Sequence, residues 1–243
     1  MIVKDCFWEK RNLGCSTVEV TIDNNDSFSV ADFPLFNDYD YIVVKVPVNR
    51  FDINLGLSKL GYTLVELQME MSIKLKDFDY NNKYLKLFSD DADFQEVTTE
   101  KDLDDIISNM SPGMFSTDRI CVDSRFGLEI GYQRYVNWLK DEFERKTSVI
   151  LKMLYKGQNI GFSMFKGEDV VRGLLGGIYL DQQNTGLGVL TPCFLPLYIK
   201  RNNMQVKKIV GDISSNNKPV WELYELFGYK AFSPRYVFVK HNN

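Results

Sequence analysis

The 243-residue chain balances 29 Lys and Arg against 33 Asp and Glu, for a formal net charge of −4, and 44% of its residues are hydrophobic. This composition is typical of a globular protein large enough for one large or two small domains. Basic residues are spread along the chain, which excludes the concentrated basic surface of a nucleic-acid-binding protein. The sequence has neither an apolar leader nor a stretch near the roughly 20 apolar residues that span a membrane, so we expect a cytoplasmic protein.

Cysteine and histidine are sparse. Cys6, Cys15, Cys121 and Cys193 stand far apart with no CxxC pair and no neighbouring histidine, so we expect no metal site. The single histidine, His241, disfavours a Ser-His or Cys-His nucleophile pair. Proton transfer must therefore use other groups.

The first half reads as strand, helix, strand. Residues 41–46 form a short apolar run, and residues 49–60 have a helical pattern that ends before Gly61, a residue type suited to a helix C-terminus. Residues 65–75 alternate apolar and polar side chains, which predicts a long half-buried strand.

Turn residues separate this region from the rest of the chain. Thr99 and Asp102 have the spacing of a capping box and open a helix that ends near the turn 111–113. We therefore predict an N-terminal α/β domain over residues 1–112 and a second domain over residues 113–243, beginning with a helix over residues 131–145.

The second half begins its sheet with a meander. Residues 148–155, 161–165 and 170–180 read as consecutive antiparallel strands joined by short turns. A helix is expected after residue 188, followed by a strand over 207–213, a helix over 220–227 and a strand over 236–240. Pro192 and Pro196 fall in the first of these helices, where Pro196 should kink or shorten it.

The two halves show a weak internal repeat. Residues 42–75 and 209–240 share the order strand, helix, Gly-Tyr, strand, and Gly61 aligns with Gly228. Under this alignment Leu57 stands where the second half has Tyr224, and Arg50 where it has Asn217. Either the first copy has kept the scaffold without groups for chemistry, or a common arrangement has recurred by chance.

A glycine-rich stretch, Gln183-Asn184-Thr185-Gly186-Leu187-Gly188, lies at the junction of a predicted strand and helix. Glycines permit a tight turn and close approach to a ligand, and a helix N-terminus attracts anions, so a pyrophosphate fits there. The stretch lacks the Lys of a Walker loop and, with Thr191, the third glycine of a dinucleotide fingerprint. An ordinary turn is the alternative.

Two motifs together resemble the GNAT superfamily of N-acetyltransferases. The stretch from Gln183 resembles the family's Gln/Arg-x-x-Gly-x-Gly/Ala motif, and Asn217, Tyr224 and Gly228-Tyr229 resemble its second signature. The resemblance covers residues 148 to 243. It implies an α/β (α+β) GNAT acyltransferase fold, with a mixed central sheet flanked by helices, here preceded by a smaller α/β domain.

The resemblance also implies roles for particular residues. Tyr224 would be the general acid that protonates the coenzyme A thiolate, although packing against the helix face is the alternative for this side chain. Acetyl-CoA would be held by the loop and its flanks, namely Ile178, Leu180, Gln183, Asn184, Thr185, Gly186, Leu187, Gly188, Val189 and Asn217.

The N-terminal region resembles a group of sugar-nucleotide N-acetyltransferases, TDP-fucosamine acetyltransferase and its relatives. The similar segments include Trp8-Glu9 with Gly14, residues 60–66 and Ser124-Arg125-Phe126. Within that group the acceptor is the amino group of a nucleotide-linked deoxy sugar used for surface polysaccharide. Arg125 is the candidate for contacting its phosphate, because a guanidinium binds phosphate in a bidentate manner, with a surface ion pair as the alternative.

Other acceptors and one other class of protein stay open. The acceptor could be a protein N-terminus, a polyamine or another small amine, and the chain could instead be a GNAT-like module that binds coenzyme A without turnover. Glu129, Glu168 and Glu222 are weak candidates for a general base, and a water relay is an equal account. A homodimer is the candidate assembly.

Overall fold

A computed structural model describes residues 1–27 and 29–242, and the ten strands found there form one mixed sheet. The strands are β1 Ile2–Asp5, β2 Thr17–Thr21, β3 Tyr41–Pro47, β4 Thr63–Lys74, β5 Ala92–Glu96, β6 Val149–Tyr155, β7 Gln158–Lys166, β8 Val170–Ile178, β9 Lys208–Ser214 and β10 Lys230–His241. The α-helices are α1 Glu9–Leu13, α2 Phe51–Lys59, α3 Lys83–Lys86, α4 Glu100–Asn109, α5 Arg119–Val122, α6 Gly127–Arg145, α7 Phe194–Arg201 and α8 Lys218–Leu226.

The strand order across the sheet is β1-β2-β3-β10-β4-β9-β8-β7-β6-β5. Neighbouring strands run antiparallel except for two parallel pairs, β2 with β3 and β8 with β9. The predicted mixed sheet flanked by helices is confirmed, and so are the antiparallel meander β6-β7-β8 and the long strand β4.

Three elements differ from the sequence prediction. β8 ends at Ile178, so Leu180 lies in a 3₁₀ turn over Leu180–Gln182 and not on the strand. A second 3₁₀ turn over Leu187–Leu190 takes the place of the helix expected directly after Gly188. The α-helix α7 begins only at Phe194, which puts Pro196 in its first turn, where a missing N–H group has no intrahelical partner to lose. Pro196 therefore delays the helix without kinking it.

The sheet has a pseudo-twofold arrangement that matches the repeat in the sequence. If β1, β2, β3 and β4 are paired with β7, β8, β9 and β10, the strand order from β1 to β7 reads the same from either end. Each copy's last strand pairs with the third strand of the other copy, β4 with β9 and β10 with β3. β4 and β10 lie side by side at the centre. The two copies have therefore exchanged their last strands.

Apolar clusters cover both faces of the sheet. On one face α7 and α8 pack on a core that includes Met71 and Ile209, and α2 packs on a core around Val44. On the other face α4 and α6 pack on Phe162 and Met164, while α5 packs near Val43 and Val237. None of the described helices is both long and apolar enough to cross a membrane.

The division of the chain at residues 112 and 113 stays a prediction. β5 and α4 precede that point in the sequence, yet β5 pairs with β6, and α4 packs with α6 in one core cluster. The capping box that opens α4 is present as expected, with the Thr99 hydroxyl accepting from the Asp102 backbone N–H.

Candidate functional site

The two parallel strands β8 and β9 separate part of the way along. Val170 to Gly173 pair with Lys208 to Gly211, and beyond this point β8 pairs only with β7, and β9 only with β4. A bulge at Leu174, where the register of β8 against β7 shifts, bends β8 at the same level. The result is a fork between residues 174–178 and residues 212–214, whose β8 edge exposes backbone groups that could pair with the amides of a ligand.

The glycine-rich loop follows the β8 arm of the fork. Asn184 and Gly186 adopt left-handed backbone conformations, with φ of 65° and 86°. Within the described chain, the backbone N–H groups of Asn184, Thr185, Gly186 and Gly188 have no acceptor. Successive N–H groups in a loop that alternates right- and left-handed residues form a concave anion-binding surface. The loop thus presents unsatisfied backbone N–H groups, and a 3₁₀ turn stands where an α-helix was expected directly behind it; that the loop binds an anion stays a prediction.

The β9 arm leads to α8, which carries the other two predicted residues. Asn217 occupies the N-cap of α8, and its side chain makes no capping hydrogen bond. The loop lies against this helix, since a Cβ added at Gly188 would be 3.9 Å from Leu223 Cδ1. Loop, Asn217 and Tyr224 are therefore on one face of the sheet at the open end of the fork.

Tyr224 is half-buried on α8 and packs edge-on against Tyr229, with 4.7 Å between ring centroids. The Tyr229 hydroxyl donates to the Pro192 carbonyl at 3.0 Å, whereas the Tyr224 hydroxyl has no hydrogen-bond partner among the described residues. Desolvation raises the pKa of Tyr224 to about 12. The phenol is therefore protonated at neutral pH and free to donate.

The equivalent place in the first copy is closed. A Cβ added at Gly56 would be 2.3 Å from Val30 Cγ2, so Val30 fills the space on α2 that a ligand would need. Leu57, aligned with Tyr224, is fully buried. Arg50, aligned with Asn217, donates to the carbonyls of Asp23 and Asp26 at 3.1 and 2.8 Å. The first copy keeps the scaffold without an open fork, because β2 pairs with β3 over its whole length.

Arg125 lies elsewhere. It lines a surface cavity of about 340 Å³ together with Asp40, Phe126 and His241. Arg235 is level with the end of β9 in the sheet, and His241 is six residues further along β10, roughly 20 Å at the rise of a strand. The fork and the cavity are thus separate places on the molecule.

The fork also contains a group of charged residues that was not predicted from the sequence. On the face opposite Tyr224, Arg172 of β8 contacts Glu70 of β4 at 2.6 Å and Asp212 of β9 at 3.1 Å. Glu70 is 102 residues from Arg172 in the sequence, so no local pattern predicts their contact. The alternation along β4 indicates only that Glu70 lies on the polar face of that strand. The weak base candidates Glu129, Glu168 and Glu222 are all exposed.

The described residues contain no cluster of three or more His, Cys, Asp or Glu side chains placed to hold a metal ion. All four cysteines are free thiols. The candidate site consists of backbone N–H groups, a tyrosine and charged side chains.

Comparison with known proteins identifies the fold. No protein-family model matches the chain, and no curated protein is significantly similar to it in sequence. Among solved structures, a GCN5-related N-acetyltransferase from Sphaerobacter thermophilus is similar over 84% of this chain and 60% of its own, with a TM-score of 0.57 and 11% identity. The chain has the fold of the GNAT acetyltransferases.

Two further structures are similar at the same level. A tandem GNAT protein from the clavulanic acid biosynthesis pathway has a TM-score of 0.50 and 9% identity, over 84% of this chain and 64% of its own. A conserved protein of unknown function from Staphylococcus epidermidis has a TM-score of 0.57 and 16% identity, over 85% and 74%. The chain spans less than two thirds of the length of the Sphaerobacter thermophilus structure and of the tandem GNAT protein.

Proposed function

We propose that the chain is an acetyl-CoA-dependent N-acetyltransferase whose site is the fork between β8 and β9. The observation that carries the proposal is the meeting, at one open fork, of a loop with unsatisfied N–H groups and a protonated tyrosine without a partner. The fold shared with GNAT acetyltransferases supports acetyl transfer in general.

The residues present fit acetyl-CoA. The N–H groups of Asn184, Thr185, Gly186 and Gly188 would bind its diphosphate, and the free edge of β8 near Ile178 would pair with its pantetheine amides. Leu180, which lies beyond the strand, would contact it from the 3₁₀ turn. Acetyl-CoA supplies the activated acetyl group.

Tyr224 would donate its proton to the sulfur that leaves as the amine attacks. Its phenol is held against Tyr229 on the loop side of the fork, and its raised pKa keeps the proton in place until negative charge develops nearby. General acid catalysis of this kind contributes about 10²- to 10⁴-fold to a rate.

Two classes of acceptor are proposed. The first class is a nucleotide-linked amino sugar, which the resemblance of the N-terminal region implies, and Arg125 would contact its phosphate. The distance between the Arg125 cavity and the fork weakens that role. Carboxylates at the fork favour the alternative, a small cationic amine or polyamine, or a protein N-terminus. The alternative to an enzyme is a module that binds coenzyme A without turnover.

Calorimetry with coenzyme A, followed by release of free thiol from acetyl-CoA in the presence of a panel of amines, tests the proposal. We expect micromolar or tighter binding and thiol release that depends on an amine. Tight binding without amine-dependent release would support the non-catalytic module. Absence of coenzyme A binding would refute the assignment of the fork as a cofactor site.

A further inference from the structure

Tyr229 connects the helix of the proposed acid to the segment that follows the loop. It lies in the turn between α8 and β10 and is only 4% exposed. Its ring packs edge-on against that of Tyr224, and its backbone N–H donates to the Tyr224 carbonyl at 3.0 Å. Its hydroxyl donates to the carbonyl of Pro192, 37 residues earlier in the sequence, at 3.0 Å. Tyr229 therefore contacts both parts of the candidate site.

The Pro192 carbonyl lacks a backbone donor because of Pro196. The chain already turns as a helix here, since the Leu197 N–H donates to the Cys193 carbonyl at 3.0 Å. The same bond one residue earlier would run from residue 196 to the Pro192 carbonyl, but proline has no N–H group. No backbone N–H of the described chain donates to this buried carbonyl. The Tyr229 hydroxyl thus supplies the hydrogen bond that Pro196 removes.

A series of short-range hydrogen bonds makes Pro192 part of the same structure as the loop. The carbonyls of Gly186, Gly188 and Leu190 accept at 3.2, 3.0 and 2.8 Å from the N–H groups of residues 189, 191 and 193. These bonds overlap along the chain from the loop to the start of α7. A displacement of Pro192 would therefore also displace the N–H groups of Gly186 and Gly188.

The first copy of the repeat has the same tyrosine without this bond. Tyr62 aligns with Tyr229, is also 4% exposed, and its backbone N–H donates to the Leu57 carbonyl at 3.1 Å. The buried Tyr62 hydroxyl has no hydrogen-bond partner among the described residues. The buried ring is therefore common to both copies, whereas a hydroxyl bond to the segment after the loop is present only in the copy with the open fork.

From these observations we propose that Tyr229 is a positioning residue, whose bond to Pro192 and packing on Tyr224 together fix the loop relative to the phenol. The inference rests on the proposed acetyl transfer, in which the loop would bind the diphosphate and the phenol would protonate the sulfur. Tyr229 would act only through these two groups. Desolvation raises the pKa of Tyr229 well above its ordinary value, so its hydroxyl remains a donor at neutral pH.

Tyr229→Phe tests this role, because it keeps the buried ring and removes only the donor. We expect the Kd for coenzyme A, measured by calorimetry, to rise about 2- to 10-fold, as for the loss of one neutral hydrogen bond. We expect kcat to fall about 10-fold, because the phenol is no longer fixed relative to the loop. In a Tyr224→Phe background the fall in kcat should disappear while the rise in Kd remains.

Pro196→Ala provides the rescue. It introduces an N–H group at position 196 that can donate to the Pro192 carbonyl, so the double variant Tyr229→Phe/Pro196→Ala should recover both the Kd and kcat of the wild type to within about 2-fold. Pro196→Ala alone should change neither value by more than this. Tyr62→Phe is the matched control, because it removes an equally buried hydroxyl that has no partner. Thermal unfolding shows whether each variant is folded.

Unchanged constants in Tyr229→Phe, or an equal change in Tyr62→Phe, would overturn the positioning role. So would a double variant that does not fold or does not recover, since the restored bond should compensate for the lost hydroxyl. If Tyr229→Phe alone does not fold, recovery of both constants in the double variant would support the role. Failure of the wild type to bind coenzyme A would instead overturn the proposed function.

Discussion

Single residues differ between the two copies at the contact between the helix and the segment that packs on it. At the position of Tyr224 the first copy has Leu57, and at the position of Leu223 it has Gly56, into which Val30 packs. In the second copy the glycine at this contact is Gly188 of the loop, and the larger side chain is Leu223 of the helix. The helix of the first copy is therefore covered by Val30, whereas the helix of the second copy faces a glycine of the loop.

Replacing Tyr224 with Phe tests the proposed acid. Phe keeps the aromatic ring of Tyr224, and the hydroxyl group that is removed makes no hydrogen bond to a described residue. We therefore expect normal folding and nearly unchanged affinity for acetyl-CoA. Loss of a general acid should lower kcat by about 10²- to 10⁴-fold. Steady-state kinetics with calorimetry as the folding and binding control would measure both. Unchanged kcat would remove Tyr224 from the mechanism.

The raised pKa of Tyr224 gives a second expectation. A general acid works while it is protonated, and its contribution disappears as pH rises through its pKa, here about 12. We therefore expect no decrease in kcat between about pH 7 and pH 10 at saturating acceptor. A fall in kcat within that range that disappears in Tyr224→Phe would show that the phenol ionises much earlier than its desolvation implies.

Elements were predicted where their pattern is local. The alternation along β4 and the capping box of α4 depend on neighbouring residues, and both are confirmed. β1 and β5 are mostly exposed and lack alternation, so only their distant partners β2 and β6 make them strands. β10 begins at Lys230, six residues before its predicted start, because Ser233 and Pro234 look like a turn but form an irregularity within the strand.

The site was predictable only in part for the same reason. The loop and Tyr224 belong to short motifs that can be recognised in a single sequence. The group of Arg172, Glu70 and Asp212 depends on the insertion of β4 beside β9, and nothing local to any of these residues reports it. The openness of the fork depends on where a ladder stops, which no residue type specifies.

The N-terminus of α4 allows a test of an element's stability. Asp102 accepts from the Thr99 hydroxyl and from Lys152, and these contacts lower its pKa to about 2 from an ordinary 3.8. Because the folded pKa lies below the unfolded one, the stabilisation is complete above about pH 4 and is lost as pH falls towards 2. Asp102→Asn should lower the free energy of unfolding by about 0.5 to 1 kcal/mol at pH 7, because the charge that attracts Lys152 and the Thr99 hydroxyl is lost.

Urea unfolding at pH 7 and at pH 2.5 would measure this change, with Asp104→Asn, an exposed position on the same helix, as the control. The destabilisation by Asp102→Asn should shrink at the lower pH, while Asp104→Asn should have little effect at either. An equal loss for Asp102→Asn at both pH values would mean that the carboxylate's charge does not stabilise the helix.

At the scale of the whole molecule, the exchange of β4 and β10 makes the two copies one cooperative unit. β10 pairs with β3 and β4, and β4 pairs with β9 and β10, so each copy's third strand has a partner from the other copy. Neither copy could complete its sheet alone, because removing either central strand would expose apolar edges on both sides.

Separate expression of residues 1–112 and 113–243 tests this cooperativity. We expect neither fragment to show a dispersed amide NMR spectrum or a cooperative thermal transition, and the full chain to unfold in one transition. Mixing the fragments should restore a folded complex if the strands can pair in trans. A well-folded 113–243 fragment would show that the second copy forms without β4, and would support the domain boundary at residue 112.

The exchanged strand also sets an order for biosynthesis. β3 can complete its pairing only after β10 has been synthesised, so the half of the chain that is made earlier has an unpaired apolar strand edge until then. Folding from one end as the chain emerges is not open to this protein. A nascent chain stalled before β10 should therefore be a substrate for chaperones, although the finished protein is not.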